Sequence, residues 1–322
     1  TTDFADLAGC DLVIEAVFED RGIKADVTQK TEAVIDADKI FASNTSTLPI
    51  TGLAEASARP DQFIGIHFFS PVDKMPLVEV ILGKKTNDEA IARSLDYIQQ
   101  IRKTPIVVND SRGFYTSRVF STFTAEGIHM LAEGVKPALI ENAAKLVGMP
   151  VGPLAVTDEV TLELAHKIGK ETAAALGRDY PSNLSEEVLQ KMVEELDRKG
   201  KRFGKGFYES PEGGRKYLWP GLAGHFPPAG KQPDLEALQT RMLVIQALET
   251  ARCVEEGVVT HAEDGDIGSI FGWGFPPYTG GTLSFIDTLG TEAFVAECDR
   301  LAEIHGDRFA ASDWLRERAS KG

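Results

Sequence analysis

The chain has 322 residues, enough for two or three domains that each bury a core of their own. With 43% hydrophobic and 26% charged residues and a formal net charge of −15, it is neither a disordered chain nor a general binder of nucleic acids or anionic membranes. The cysteines Cys10, Cys253 and Cys298 are scattered without CxxC spacing. This argues against a disulfide framework or a zinc site and favours a reducing, cytoplasmic compartment. No apolar run is long enough for a transmembrane segment.

Short apolar strands alternate with helices through the first third of the chain. Strands are predicted over residues 11–17, 39–43, 63–69, 77–81 and 105–108, and helices over residues 23–35, from about residue 48, and over 87–101. This alternation predicts a mostly parallel, doubly wound sheet.

The character of the chain becomes helical from Phe114 onward. A long apolar-periodic segment runs to Leu131, and Gly134 is expected to end that helix. Residues 203–233 are rich in Gly, Pro and aromatic residues, as in a linker or a surface-packed loop. A second helical region follows to the end of the chain.

The two helical regions resemble each other in sequence. The first contains TSR, LAEGV and GMPVGP, and the second contains QTR, VEEGV and GFPPYTGG in the same order. Arg118 and Arg241 are 123 positions apart, as are Glu133 and Glu256, while the third motif drifts by three residues. These offsets predict an internal duplication of a helical domain.

One histidine and one glutamate interrupt two apolar strands, in the stretch IHFFSPVDKMPLVEVI (residues 66–81). Taken singly, His67 is typical of a satisfied core histidine and Glu79 of a solvated strand edge. On adjacent strands, however, each can compensate the desolvation of the other. A carboxylate that accepts the imidazole N–H fixes the tautomer and leaves the second nitrogen free to act as a base.

Polar side chains follow the first two strands. Asn44 and Ser46 lie in SNTST, at the carboxyl end of a strand, where open α/β sheets bind ligands. They could hold a substrate oxygen, or they could simply cap the next helix. Glu19 and Lys24 could contact a cofactor, although such residues more commonly form a solvated charged face.

Several motifs in order give the chain a family resemblance. FASNTSTL (Phe41–Leu48), the 66–81 stretch, DSRGFYTSR (Asp110–Arg118) and GMPVGPL (Gly148–Leu154) resemble the L-3-hydroxyacyl-CoA dehydrogenase family. The later DGDIGSIFGWGFPPYTGG (Asp264–Gly281) is similar to the multifunctional fatty-acid oxidation proteins, in which the helical domain is duplicated.

The resemblance implies the fold class α/β plus all-α. The expected domains are part of an NAD-binding Rossmann-like domain (1–109), a first helical domain (110–209), a linker (210–233) and a second helical domain (234–322). It also implies NAD-dependent oxidation of an L-3-hydroxyacyl-CoA to the 3-ketoacyl-CoA in β-oxidation.

The resemblance also assigns roles to the candidate residues. His67 would be the general base and Glu79 its orienting partner. Ser46 and Asn44 would hold the substrate, and Glu19 and Lys24 would lie near the dinucleotide. The expected partners are the acyl-CoA substrate, a hydratase region in the same parent chain and a thiolase subunit, with no nucleic acid.

The sequence departs from the family pattern at two points. Ser117 stands where the helical domain usually supplies an asparagine, so a shorter hydroxyl would face the substrate. No G-x-G-x-x-G loop follows a strand in these residues. A fragment, a longer parent or a diverged protein would each explain this, and the Thr1 start favours a fragment. The alternative function is therefore a catalytically incomplete substrate or assembly module, with exposed strand edges near its N-terminus.

Overall fold

The computed structural model describes residues 1–177 and 183–321. The chain divides into two compact units, of which the first comprises residues 1–120, 247–297 and 311–322, and the second residues 121–246 and 298–310. Among the described residues, none of the helices combines the length and apolar character that crossing a bilayer requires.

The secondary structure consists of fourteen α-helices and seven strands in the described part of the chain. The strands are β1 (Leu12–Glu15), β2 (Ile40–Ser43), β3 (Phe63–Phe68), β4 (Leu77–Leu82), β5 (Thr104–Asn109), β6 (Tyr208–Glu209) and β7 (Tyr217–Leu218). The helices are α1 (Arg21–Glu32), α2 (Ile50–Leu53), α3 (Asp88–Gln100), α4 (Thr116–Ala132), α5 (Pro137–Leu146), α6 (Pro153–Val160), α7 (Leu162–Leu176), α8 (Leu184–Gln190), α9 (Leu222–His225), α10 (Leu235–Glu255), α11 (Ala262–Trp273), α12 (Thr282–Leu289), α13 (Thr291–His305) and α14 (Asp313–Lys321).

The main sheet has five strands in the order β1-β2-β3-β4-β5. All neighbours pair in parallel except β3 and β4, which are antiparallel. The predicted fold class is confirmed, and β4 and β5 run opposite to the first three strands. The carboxyl ends of β1, β2 and β3 therefore share one edge of the sheet with the beginning of β4.

Side-chain alternation gives this sheet two different faces. One face is wholly apolar, because Ile64, Ile66, Val78 and Val80 pack with α3 in one buried cluster. The opposite face carries His67 and Glu79 among apolar neighbours, since these two residues alternate with that cluster along β3 and β4. The dyad predicted from the sequence thus lies away from the α3 side.

Local signals in the sequence explain where the helices on this sheet begin. The Asp20 side chain accepts the Ile23 N–H at 2.9 Å ahead of α1, and Asn87 accepts the Ala90 N–H at 2.8 Å ahead of α3. Such caps satisfy backbone donors that have no partner within the helix. The helix predicted near residue 48 is a single turn, α2, which ends before another helical turn of the 3₁₀ type.

A buried ion pair joins α1 to the first strand. The Lys24 ammonium contacts both Glu15 carboxylate oxygens, at 2.9 and 3.1 Å, and Glu15 also accepts the Ser43 hydroxyl. The Lys24 side chain is 3% exposed and that of Glu15 is 2% exposed. The interpretation of Lys24 as part of a solvated charged face is therefore wrong. Its long side chain points inward because Glu15 ends β1 beneath it.

The duplicated motifs meet in a reciprocal pattern of ion pairs. Arg118 of the first copy binds Glu249 and Glu256 of the second, with N···O distances of 2.5 Å to each. Within the other unit, Arg241 of the second copy binds Glu126 and Glu133 of the first. Glu126 and Glu249 add a third pair of positions with the same 123-residue offset. The pairing supports the duplication, since both copies keep the same three charged positions.

A second feature that both copies share is a carboxylate that accepts a backbone N–H group at the start of the following helix. Glu141 accepts the Leu154 N–H at 2.8 Å at the start of α6, and Asp266 accepts the Leu283 N–H at 2.8 Å at the start of α12. A glycine precedes each helix where the carboxylate approaches. A Cβ atom at either Gly152 or Gly281 would lie 2.4 Å from the carboxylate side chain. The third motif, whose spacing differs by three residues, therefore forms the same carboxylate cap in both copies.

The Gly- and Pro-rich stretch after residue 203 also holds regular structure. β6 and β7 form an antiparallel pair there, and α9 follows within the predicted linker. The Asp158 carboxylate accepts the Phe207 and Tyr208 N–H groups at 2.8 Å each. This segment is thus fixed to the second unit by backbone hydrogen bonds that its composition did not indicate.

Replacing Lys24 with methionine is expected to lower the free energy of unfolding by about 3–5 kcal/mol, because it leaves the Glu15 carboxylate buried without its cation. Lys30 lies on the same helix and pairs with Asp26 in solvent, so Lys30→Met is expected to cost less than about 1 kcal/mol. Urea unfolding of the two variants measures the difference. A Glu15→Gln/Lys24→Met double variant is expected to recover most of the loss, and equal costs for the two single variants would contradict the buried pair.

Candidate active site

Strand pairing brings His67 and Glu79 directly opposite each other. They are register partners of the antiparallel β3–β4 pair, and His67 Nδ1 lies 2.9 Å from Glu79 Oε2. His67 is 5% exposed and Glu79 is fully buried. Because an ionised carboxylate only accepts hydrogen bonds, Nδ1 is the donor and carries the proton of the neutral ring. The pairing predicted from the sequence is present in the structure.

The Glu79 carboxylate is held from its other side by the start of α4. Its Oε1 atom accepts the N–H groups of Tyr115 and Thr116, each at 3.0 Å. Its Oε2 atom accepts the Thr116 hydroxyl at 2.6 Å in addition to the imidazole. These four hydrogen bonds satisfy a carboxylate that has no access to water, and the helix N-terminus favours its negative charge.

A tight turn before α4 points these backbone donors at Glu79. Gly113 has φ +74° and Phe114 has φ +51°, a left-handed conformation that a residue with a bulky side chain seldom adopts. The Phe114 ring is buried and lies edge-on to the His67 ring, with 6.2 Å between centroids. The strained residue thus both shapes the turn and forms one wall beside the imidazole.

The second imidazole nitrogen is free for chemistry. His67 Nε2 has no hydrogen-bond partner within residues 1–177 and 183–321, while the Phe69 ring lies 4.5 Å from the imidazole centroid. With Nδ1 protonated, Nε2 carries the lone pair. The arrangement can therefore accept a proton at Nε2 while Glu79 stabilises the resulting imidazolium.

The residues after β2 connect this dyad to the end of β1. Asn44 Oδ1 accepts the Phe68 N–H at 2.8 Å, which ties the residue to the strand end beside His67. The Ser46 N–H donates to Glu19 at 2.7 Å, and Thr45 donates its hydroxyl to the same carboxylate at 2.9 Å. The Ser46 hydroxyl has no partner among the residues that the structure describes.

Of the other three predicted positions, Glu19 and Ser117 are partly exposed and Lys24 is enclosed. Glu19 is 34% exposed at its side chain and lies 3.5 Å from the Lys24 ammonium, which is itself enclosed. Ser117 is half-buried in the first turn of α4, beside the Thr116 that binds Glu79. Sequence reasoning missed Thr116 and the Tyr115 N–H. The GFYTS sequence (residues 113–117) ahead of an apolar helix was the only feature that could have indicated their role.

Two cavities lie elsewhere in the described part of the chain. One of about 730 Å³ adjoins the amino ends of β1 and β2, where Asp11, Leu12 and Lys39 line it. Another, of about 300 Å³, belongs to the second unit and is lined by Glu133, Arg241 and other residues. Neither includes His67, so the site is defined by its side chains and strand ends.

Comparison with known families agrees with this fold. Residues 1–111 match the model of the 3-hydroxyacyl-CoA dehydrogenase NAD-binding domain, and residues 113–210 match that of the 3-hydroxyacyl-CoA dehydrogenase C-terminal domain. The fold and these two matches therefore define a dehydrogenase with a Rossmann-like domain and an attached helical region. The chain belongs to the 3-hydroxyacyl-CoA dehydrogenase family, whose members are oxidoreductases.

Its relatives include both long and short proteins. The fatty acid oxidation complex subunit alpha of Shewanella loihica is 40% identical over 326 residues, covering 100% of this chain and 45% of that protein. The chain thus spans about half the length of the curated relatives it matches. (S)-3-hydroxybutyryl-CoA dehydrogenase PaaH1 from Ralstonia eutropha is 32% identical, with a TM-score of 0.61, over 66% of this chain and 74% of that one.

A third relative matches through both helical copies. The dehydrogenase part of multifunctional enzyme 1 from C. elegans has a TM-score of 0.70 and 26% identity, over 98% of this chain and 73% of that one. The 3-hydroxybutyryl-CoA dehydrogenase of Escherichia coli K12 has a TM-score of 0.81 at 22% identity, over 100% of this chain and 84% of that chain, and this supports the fold alone.

Replacing Glu79 with glutamine is expected to reverse the His67 tautomer. The two backbone N–H groups require the amide oxygen at the Oε1 position, so the amide NH₂ would face Nδ1 and donate to it. The ring proton must then move to Nε2. Long-range ¹H–¹⁵N correlation spectra of the imidazole distinguish the two tautomers.

Glu141→Gln is the matched control, because Glu141 is also a buried carboxylate that accepts backbone N–H groups. It is expected to leave the His67 spectrum unchanged. An Nδ1-protonated ring in the Glu79→Gln protein would contradict the hydrogen-bond assignment.

Proposed function

We propose that this chain catalyses the NAD-dependent oxidation of an L-3-hydroxyacyl-CoA to the 3-ketoacyl-CoA, with His67 as general base and Glu79 as its orienting partner. The observation that carries the proposal is the fully buried Glu79 carboxylate, 2.9 Å from His67 Nδ1, with Nε2 left free. The names of the relatives in the family support the substrate class. They also support the place of this reaction in fatty-acid β-oxidation.

The proposed role of His67 follows from its tautomer. Nε2 takes the proton of the 3-hydroxyl group, and the positive charge that develops on the ring is stabilised by Glu79. Bound NAD would supply the hydride acceptor for C3, so that the products would be the ketone and NADH. Because the Glu79 carboxylate is already hydrogen-bonded at both oxygens, it needs no rearrangement as the ring becomes charged.

Three further residues are proposed to hold the substrate. The Ser46 hydroxyl, which is free of partners in the described part of the chain, would donate to the substrate oxygen. Asn44, tied by its Oδ1 atom to the strand end next to His67, would contribute its amide NH₂ group. Ser117 would supply the polar group of the helical side, with a shorter reach than the asparagine expected there.

Glu19 and Lys24 are proposed to serve the NAD site in different ways. Glu19 is partly exposed and binds the backbone of the Ser46 loop, so it can contact the dinucleotide directly. Lys24 is enclosed between Glu15 and Glu19 and would act by holding the Glu19 carboxylate in place. These residues fit the nicotinamide end of such a cofactor, because they surround the strand ends beside the dyad.

The wider setting is also a proposal. A relative that bears the name of a fatty acid oxidation complex subunit suggests a hydratase region in the same parent chain and a thiolase as partner subunit. Cys10, Cys253 and Cys298 all lie in the described part of the chain and form no disulfide bond with one another, which agrees with a reducing, cytoplasmic compartment.

His67→Gln tests the base directly. The variant is expected to lower kcat by about 10²–10⁴-fold while keeping its fold, since general base catalysis contributes about that factor. NADH absorbance with a short 3-ketoacyl-CoA reports the reverse reaction. The assay runs on this chain and on a protein of the length of the fatty acid oxidation complex subunit.

His261→Gln is the control, because His261 is largely exposed at its side chain. It is expected to retain the activity of the wild type. Full activity of His67→Gln would exclude His67 as the base. Turnover by the longer protein alone would leave the base assigned and would mark this chain as an incomplete substrate or assembly module by itself.

Ser46→Ala is expected to lower kcat/KM roughly fivefold, which corresponds to the loss of one hydrogen bond worth about 1 kcal/mol. Ser94→Ala removes a hydroxyl that donates to the Ala90 carbonyl within α3, and is expected to leave kcat/KM unchanged. Steady-state kinetics at varied acyl-CoA concentration compare the two. Equal kcat/KM values for both variants would remove Ser46 from the substrate site.

A further inference from the structure

The backbone and the side chain of Tyr115 form hydrogen bonds with different parts of the protein. Its backbone N–H donates to Glu79 Oε1 at 3.0 Å, whereas its side chain is fully buried and its hydroxyl donates to the Gly265 carbonyl at 2.6 Å. Burial raises the pKa of the Tyr115 phenol, so the hydroxyl remains a donor. A single rigid residue therefore connects the dyad carboxylate to α11.

Three helices of the second copy, α10, α11 and α12, meet at the Tyr115 side chain. Besides Gly265, the hydroxyl lies 3.4 Å from Thr250 Oγ1 in α10 and 3.2 Å from Thr282 Oγ1 in α12. The Trp273 ring of α11 packs edge-on against the Tyr115 ring, with 5.5 Å between centroids. The hydroxyl is thus enclosed by polar groups on three separate helices.

Two glycines of α11, Gly268 and Gly272, lie where the helix approaches the turn and the strands near Tyr115. A Cβ atom at Gly268 would lie 2.9 Å from Tyr115 Cε1 and 2.8 Å from Ile106 Cδ1. One at Gly272 would lie 3.0 Å from Leu77 Cδ2. The helix can approach the turn and strands β4 and β5 this closely only because both positions lack side chains.

This close packing restrains the turn next to Phe114, the residue whose backbone conformation is unfavourable. Phe114, directly before Tyr115, has φ +51°, and such a conformation persists only where the surroundings enforce it. The enclosed Tyr115 ring supplies that constraint on one side. Without it, the turn can relax and move its N–H groups away from Glu79.

We infer that Tyr115 is a positioning residue, through which the second helical copy holds the Glu79 carboxylate, and thereby the His67 imidazole, in place. The catalytic consequence rests on the proposed function, but the positioning itself does not. The second copy then helps to position the dyad, because α11 holds the Tyr115 side chain through Gly265 and Trp273.

Tyr115→Phe removes only the hydroxyl, and with it the hydrogen bond to Gly265 and the contacts with Thr250 and Thr282. It is expected to lower kcat about tenfold with KM changed less than twofold, because the base is misplaced while the substrate contacts remain. The Nδ1–H signal of His67, identified by its loss in His67→Gln, is expected to shift or broaden. Gly268→Ala, which presses a methyl group on the Tyr115 ring, is expected to act in the same direction.

Tyr208→Phe is the matched control. Tyr208 is also buried, and its hydroxyl donates to Glu141 at 2.7 Å in the other unit. The control is expected to lose stability in thermal unfolding while keeping both kcat and the His67 signal. A general structural role of Tyr115 would produce that same pattern.

An unchanged His67 signal in both Tyr115→Phe and Gly268→Ala would overturn the inference. Failure of the proposed function is a separate result, seen as absence of turnover by the wild-type chain and the longer protein, or as full activity of His67→Gln. In that event the imidazole signal alone decides whether Tyr115 positions the dyad.

Discussion

The arrangement of the candidate active site depends on one carboxylate that has no contact with water. Glu79 lies within the sheet, where an ionised group is stable only if every acceptor position is used. Its partners come from β3, from the turn before α4 and from the first residue of α4. The sheet and the helical region must therefore both be in place before the imidazole has a defined orientation.

The dyad and the fold class could be predicted from the sequence, because both depend on the identity of the side chains. Two apolar strands in succession, each with one ionisable residue, made the pairing of His67 with Glu79 the simplest way to satisfy both. The alternation of strands and helices gave the fold class. It did not reveal that β4 runs antiparallel to β3, since the residues of a short apolar strand do not indicate its direction in the sheet.

The remaining features depend on groups that a sequence does not display. The donors that fix Glu79 are two backbone N–H groups, which every residue except proline possesses. Lys24 looked like a surface charge because its neighbours are charged, and only the fold shows that Glu15 lies beneath it. The spacing of Gly265, Gly268 and Gly272 along α11 was visible in the sequence, but its meaning requires knowledge of what packs against that helix.

The antiparallel pairing of β3 and β4 sets a rule for how this protein can change over evolution. Insertions in the loop of residues 69–76 leave the two partners opposite each other, because that loop only reverses the chain between the strands. A single-residue insertion inside either strand would instead turn the ionisable side chain toward the apolar face under α3. Length variation among homologues should therefore be tolerated in the loop and absent from the six residues of each strand.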